Sequence, residues 1–296
     1  MFLDHFLNVE HELRCTVPKS LYHYCKARSL QYFVRHDSDI WCTHCNHLND
    51  PEECWFGMRL FLDYLKQRDS GSEKVYQALE YNVRNNSLWH KIFSKDGHSR
   101  IMPFTFSFSE ACDEPRMWEY AGNLGYKIEF DGAGIELNAG HVSSVLSTLD
   151  PSSRMTLSLW PCFYKESNAK EIGSLFDALY QDLRSTILAI GNDVGDVVAG
   201  RIFLSTLACV APLFKAEKWS YEREWRLIMV RENFDRVQFV NHRARSYMSS
   251  APGGVRGLIK RITSCPSGNV DWENKYLQFQ INDGFRQVGG KEEFCI

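Results

Sequence analysis

The residues best placed to do chemistry stand at Trp219-Ser220-Tyr221-Glu222-Arg223-Glu224-Trp225-Arg226, followed by Leu227-Ile228-Met229-Val230. The second segment is an apolar, strand-like run, and side chains on a strand alternate between faces. A strand running back through the motif therefore projects Glu222 and Glu224 from one face. Of two such acids, one can stabilise a developing positive charge while the other accepts a proton. Their proximity also pushes one of the two pKa values up, which suits a base. The plainer use is structural: both acids pair with Arg223, Arg226 or Lys218 and pin the strand. On the E-x-E spacing alone, the structural use is the better reading.

Four further groups can carry chemistry. Leu21-Tyr22-His23-Tyr24 sets a histidine between two tyrosines on a short strand. It is either a ligand-binding imidazole beside an aromatic wall or a half-buried strand. Phe104-Thr105-Phe106-Ser107-Phe108-Ser109 alternates strictly, phenylalanines on one face and hydroxyls on the other. The hydroxyl row is a solvent face or the polar wall of a pocket. Arg116-Met117-Trp118-Glu119-Tyr120-Ala121-Gly122 reads as a short helix with a glycine stop, in which Trp118 and Tyr120 are more often core anchors than ligand contacts. Cys42-Thr43-His44-Cys45-Asn46-His47, with Cys54 nearby, invites a zinc reading, but no second ligand pair follows at a zinc spacing. No metal site is expected. G-x-G-x-x-G, P-loop, H-E-x-x-H and G-x-S-x-G patterns are absent, which disfavours Rossmann dehydrogenases, P-loop NTPases, zincins and α/β-hydrolases.

The surrounding periodicities say what positions these groups. Strands are expected at 21–24, 39–43, 101–108, 126–130, 157–164, 224–230, 237–240, 257–262 and 276–281. Pro161 points to an edge or a bulge. Helices are expected at 29–34, after the Asn49-Asp50-Pro51 turn, around 75–83 and 117–121, over 172–187 and over 194–213. Strands at both ends with helices between them give an α+β fold. The expected organisation is a single domain over 1–296, with a mostly helical insertion at 141–215. Segment 165–215 stays open between a lid, a face for a partner or inhibitor protein, and plain packing.

Composition sets outer bounds. The 296 residues are 44% hydrophobic and 24% charged, with a net charge of −3. There is no basic excess of the kind that marks nucleic-acid binders. No run reaches the ~18–20 apolar residues of a membrane span. The N-terminus lacks a signal-peptide pattern. Ten cysteines without a regular spacing fit reduced thiols, so a cytoplasmic protein with no membrane association is expected.

Taken in order, several of these segments resemble a widespread, uncharacterised bacterial domain family. Its pattern runs L-Y-x-Y, N-D-P-x-E, F-S followed by M-W-x-x-Y-A, and W-x-x-E-x-E-W-R. The matches are Leu21 to Tyr24, Asn49 to Glu53, Phe108-Ser109 with Met117 to Ala121, and Trp219 to Arg226. The order of a first-strand His, a Ser/Thr-rich strand and a late E-x-E is in turn similar to the ADP-ribosyltransferase superfamily. That resemblance implies a mixed or antiparallel split β-sheet core with helical insertions, and NAD as the substrate.

It further implies that Glu224 is catalytic and that Glu222 orients the acceptor. His23 with Tyr22 and Tyr24, Ser107 and Ser109, and Trp118 and Tyr120 would bind NAD. Phe108 stands where the superfamily strand has Thr, and His on the first strand belongs to a different branch from most E-x-E members, which leaves the acceptor open. The implied activity is transfer of ADP-ribose to a protein or nucleic acid, in a toxin, an effector or a phage-defence component. Three alternatives remain: NAD hydrolysis in the same cleft, a non-enzymatic nucleotide- or protein-binding module, and a nuclease using Asp50, Glu53, Glu110 and Glu222.

Overall fold

The computed structural model describes residues 16–26, 29–30, 33, 40–48, 53–68, 102–122, 125–137, 155–190, 207, 210–231, 237–240, 243–248 and 255–265. In chain order the strands are β1 (Ser20–Lys26), β2 (Ile40–His44), β3 (Met102–Ser109), β4 (Gly125–Asp131), β5 (Met155–Pro161), β6 (Phe163–Tyr164), β7 (Phe214–Lys215), β8 (Glu224–Arg231), β9 (Val237–Val240), β10 (Arg243–Met248) and β11 (Ile259–Ser264). The longer helices are α1 (Glu53–Arg68), α2 (Pro115–Ala121) and α3 (Ala169–Ile190). The fold is α+β, built on an antiparallel sheet with helices set against it.

The alternation in β3 organises the sheet. Its even residues, Phe104, Phe106 and Phe108, join Leu21, Cys25, Ile128, Phe130, Trp225, Leu227 and Met229 in one core. Each such side chain contributes roughly 1.5–3 kcal/mol through burial. One edge of β3 pairs along its full length with β8, from Met102↔Arg231 to Ser109↔Glu224.

A strand has only two edges, so β1 and β2 share the other. β1 meets it at Tyr22↔Ser109, while β2 meets it at Thr43↔Thr105 and His44↔Phe104. From there β1 leads away to β4 and β11, and β2 leads to β10 and β9. The sheet therefore parts along this edge of β3.

Helices cover the opposite face in two places. α1 and α3 bury Met58, Phe61, Leu65, Leu175, Phe176 and Leu179 with Trp160, Phe214 and Ile228. α2 buries Trp118 and Ala121 against Tyr24 and Cys265. The described part of α3 thus packs against α1 and the sheet. Gly57 of α1 allows the closest approach: a Cβ there would lie 2.4 Å from the Ala211 carbonyl oxygen and 2.8 Å from the Phe214 ring. That contact seats the 3-10 turn Ala211–Leu213 and β7.

Several expectations are shifted. β11 begins at Ile259 after a 3-10 turn over Val255–Leu258, rather than at Gly257. β10, a helical turn at 132–137, and the two-residue parallel pair of β6 and β7 were not anticipated. Within 141–215 the described residues include β5, β6 and β7 as well as α3. β5 pairs with β8 and ends at Pro161, where a missing N–H is tolerated. The Asn49-Asp50-Pro51 turn, the 75–83 helix and the 276–281 strand lie outside the described residues, as does most of the 194–213 helix. No described helix is long and apolar enough to cross a membrane. Among the described cysteines, Cys25, Cys45 and Cys112 are free thiols.

Candidate functional site

Glu224 opens β8 beside Ser109, the last residue of β3. Glu222 does not lie on that strand. It closes the 3-10 helix Glu217–Glu222, and Arg223 between the two acids takes a left-handed conformation with φ 40°. The period of two expected through the motif is broken there. A non-glycine residue at such φ is uncommon and costs of order 1–3 kcal/mol. The surroundings that hold it are on both sides: the Arg223 carbonyl accepts from the Glu110 N–H at 2.9 Å, and its own N–H donates to Ser220.

The carboxylates converge all the same, on a residue absent from the sequence-based set. Lys215, the second residue of β7, places its ammonium 2.5 Å from Glu222 Oε2 and 2.5 Å from Glu224 Oε2. Its side chain is 7% exposed, against 5% for Glu224 and 18% for Glu222. Arg226 adds a fork to Glu224, Nε to Oε1 at 2.7 Å and a terminal nitrogen to Oε2 at 3.0 Å. Its other terminal nitrogen donates to the Pro212 carbonyl. Burial alone would push the Glu224 carboxyl up. The charges of Arg226 and Lys215 outweigh it and hold the group well below the usual carboxylate range.

Neighbouring groups hold the backbone of this motif. Tyr164 Oη accepts from the Glu224 N–H at 2.9 Å. Ser109 Oγ donates to the Glu222 carbonyl at 2.6 Å and accepts from the Ala111 N–H at 3.0 Å. Lys215 and Tyr164 lie opposite each other in the β6–β7 pair. Each is a lone polar residue ending a short apolar run, Pro212-Leu213-Phe214 and Cys162-Phe163. A two-residue strand leaves no periodicity, so only that position could have signalled them.

The register sorts the remaining expected residues. Tyr22 pairs with Ser109 and Ser109 with Glu224, so the three share a face, and Ser107 shares it opposite Arg226. His23 turns the other way. Its ring stacks on Phe106 at 4.4 Å and lies 5.4 Å from Phe33. Nδ1 donates to the Ser107 carbonyl at 2.8 Å, which replaces a backbone partner where β1 leaves β3. Burial lowers its pKa to about 4, so the ring is neutral near pH 7. The expected cleft shared by His23, Ser107 and Glu224 is thus divided by the sheet itself. Alternation along β1 puts Tyr22 and Tyr24, not His23, on the Glu224 face.

Tyr24 is packed under α2. Its hydroxyl donates to the Ala111 and Cys112 carbonyls, and its ring meets Trp118 edge-on at 5.1 Å. Trp118 is therefore a packing anchor. Tyr120 faces outward, 55% exposed. Tyr22 remains half-buried below Lys127, whose ammonium lies 5.4 Å from the ring centre. Burial, first of several causes, pushes the Tyr22 hydroxyl up to about 12.

The Cys42–His47 segment forms β2 and a 3-10 turn. His44 is buried, with its ring against Phe104. Among the described residues no group of three His, Cys, Asp or Glu side chains is placed to hold a metal ion. Comparison of the chain with known protein families, curated proteins and solved structures finds no match.

Proposed function

We propose that the protein is an ADP-ribosyltransferase-like enzyme that consumes NAD and transfers ADP-ribose to a macromolecular acceptor, protein or nucleic acid. NAD hydrolysis is the same reaction with water as the acceptor. One observation carries this reading. The buried Glu224, the half-buried Glu222 and Ser109 stand together at the end of β3, where β1 joins it, so a fixed carboxylate lies beside the strand from which β1 and β2 diverge.

The bond that breaks is the one between the ribose anomeric carbon and the pyridinium nitrogen of NAD. Nicotinamide leaves with the electron pair, and positive charge develops on the ribose. An ionised carboxylate in a dry site stabilises that charge without reorganising. Glu224 is ionised at any ordinary pH. Glu222, more open to solvent, takes the proton of the attacking group. Ser107 and Tyr22 line the same face for the nicotinamide ribose. His23 has no contact with the ligand in this reading; it secures the splay of the strands.

Nicotinamide release from NAD by the wild-type protein, followed with and without cell extract as acceptor source, tests the reading. Release that is lost in Glu222→Gln supports it. No release and no NAD binding by calorimetry would rule it out.

A second reading follows from the fork between Arg226 and Glu224. With both Glu224 oxygens bonded inside the protein, the pair can be a purely structural knot in a non-enzymatic nucleotide- or protein-binding module. NAD binding without nicotinamide release would select it.

A further inference from the structure

The four charged side chains at the centre of the site cancel. Glu222 and Glu224 supply two negative charges, and Lys215 and Arg226 supply two positive ones. Arg226 is tied to the fold by its bond to Pro212 and its fork on Glu224. The Lys215 ammonium bridges the two carboxylates, at 2.5 Å from each. Trp219, on the adjacent 3-10 helix, lies 5.7 Å from the ammonium, so an aromatic ring also faces the cation. The ammonium thus sits where two anions and a π-face together best stabilise a positive charge.

We propose that Lys215 is an internal counter-ion that occupies the place of a cationic ring, and that a pyridinium group displaces it from between Glu222 and Glu224. This rests on the function proposed above and names the feature of the substrate that the acidic pair recognises, its positive charge. A lysine suits such a role. Its ammonium is a compact charge on four rotatable carbons, and it can swing to water without moving the backbone. Once it leaves, the site carries one net negative charge. That favours both the pyridinium of NAD and the positively charged ribose that follows. In the wild-type protein the cost of breaking the two ion pairs of the ammonium offsets this gain, so a charged ring binds there with little net advantage over a neutral one.

The test uses two small probes, 1-methylnicotinamide, which is permanently cationic, and nicotinamide, which is neutral. Calorimetry should show that the wild-type protein binds the cation with little preference. Lys215→Met should bind it at least about tenfold more tightly than nicotinamide, a difference of about 1.4 kcal/mol. Lys215→Arg should behave as wild type. Equal affinities in Lys215→Met would overturn the proposal.

A measurement on the wild-type chain covers the case in which the buried substitution prevents folding. Reductive methylation of Lys215, read by mass spectrometry against the exposed Lys218, should speed up several-fold when 1-methylnicotinamide is added. An unchanged rate would count against displacement. Cation preference in Lys215→Met with no NAD turnover by the wild-type protein would remove the enzymatic reading and leave this one standing. Wild-type NAD turnover with no cation preference in Lys215→Met would do the reverse.

Discussion

Glu224 and Arg226 stand two residues apart on β8 and clasp each other along a single strand face. The guanidinium holds both carboxylate oxygens, at 2.7 and 3.0 Å, with the two side chains 5% and 2% exposed. A period of two brings their side chains to the same face, and the short reach of Glu against the long reach of Arg lets the fork close. The pair is buried, so its energetics differ from those of a surface ion pair. Its attraction is largely offset by the loss of hydration, but losing one partner strands a charge.

Arg226→Met is therefore expected to destabilise the protein by about 3–5 kcal/mol, read as a lower urea midpoint at pH 7. The pH dependence has a definite sign. The folded pKa of Glu224 is depressed, so its contribution is present above the unfolded value of about 4.3 and is lost as pH falls below it. Arg226→Met should shrink this acid loss, because the carboxyl no longer has its main cationic partner. An acid profile parallel to wild type would show that Arg226 does not set the Glu224 pKa.

Gly57→Ala tests how Lys215 is positioned. Alanine is the better helix former by about 1 kcal/mol. Yet its methyl would lie 2.4 Å from the Ala211 carbonyl oxygen, and backbone cannot give way as a flexible side chain can. The expected outcome is a net loss of roughly 1–3 kcal/mol, with β7 and the Lys215 ammonium displaced. A stability equal to or above wild type in thermal denaturation would contradict the close approach.

The sequence made some of this arrangement readable. Strict alternation in β3 predicts its two faces, and Phe104, Phe106 and Phe108 do enter the core while Ser107 and Ser109 face the acids. The E-x-E motif lies where Glu222 and Glu224 meet Lys215 and Arg226. Three features were hidden for physical reasons. Arg223 takes a left-handed conformation at a single residue, which no periodicity announces. Lys215 reaches the acids through a two-residue parallel pairing set by tertiary packing. The facing of His23 follows from its register to β3, which a lone strand cannot reveal.

Ser109 and Ser107 separate the backbone anchor from the open wall. Ser109→Ala removes the donor to the Glu222 carbonyl and leaves the buried Ala111 N–H without its partner, at a cost of about 1–3 kcal/mol. Ser107→Ala, at a half-buried position, should stay within about 0.5 kcal/mol. Chemical denaturation of the two variants side by side checks the contrast. Equal losses would mean that the Ser109 hydroxyl is not what holds the Glu222 turn.

The half-buried His23 and the buried His44 give the protein a separate acid sensitivity. Burial lowers His23 from 6.5 to about 4 and His44 from 6.5 to about 3. The unfolded chain then binds more protons than the folded one between 6.5 and those values. Stability is full above pH 6.5 and falls as pH drops through the window, by up to about 1.4 kcal/mol per pH unit for each histidine. His23→Gln, whose amide can still donate to the Ser107 carbonyl, should flatten its share of the slope between pH 6.5 and 4. Urea unfolding at half-unit pH steps measures it, and an unchanged slope would place the titration elsewhere.

The acids themselves should separate by role when nicotinamide release is followed. Glu222→Gln keeps the size of a partly exposed side chain and leaves Glu224 bonded to Arg226, so the fold is expected to survive with little change in melting temperature. As the proton acceptor it should cost on the order of 10²-fold in kcat, with NAD affinity altered far less. Glu224→Gln takes the charge away from a buried guanidinium and ammonium, and should lose stability as well as activity. A Glu222→Gln protein with wild-type kcat and a Glu224→Gln protein that fails only by unfolding would together assign the pair to structure. A folded Glu224→Gln protein that binds NAD but releases no nicotinamide would assign it to catalysis.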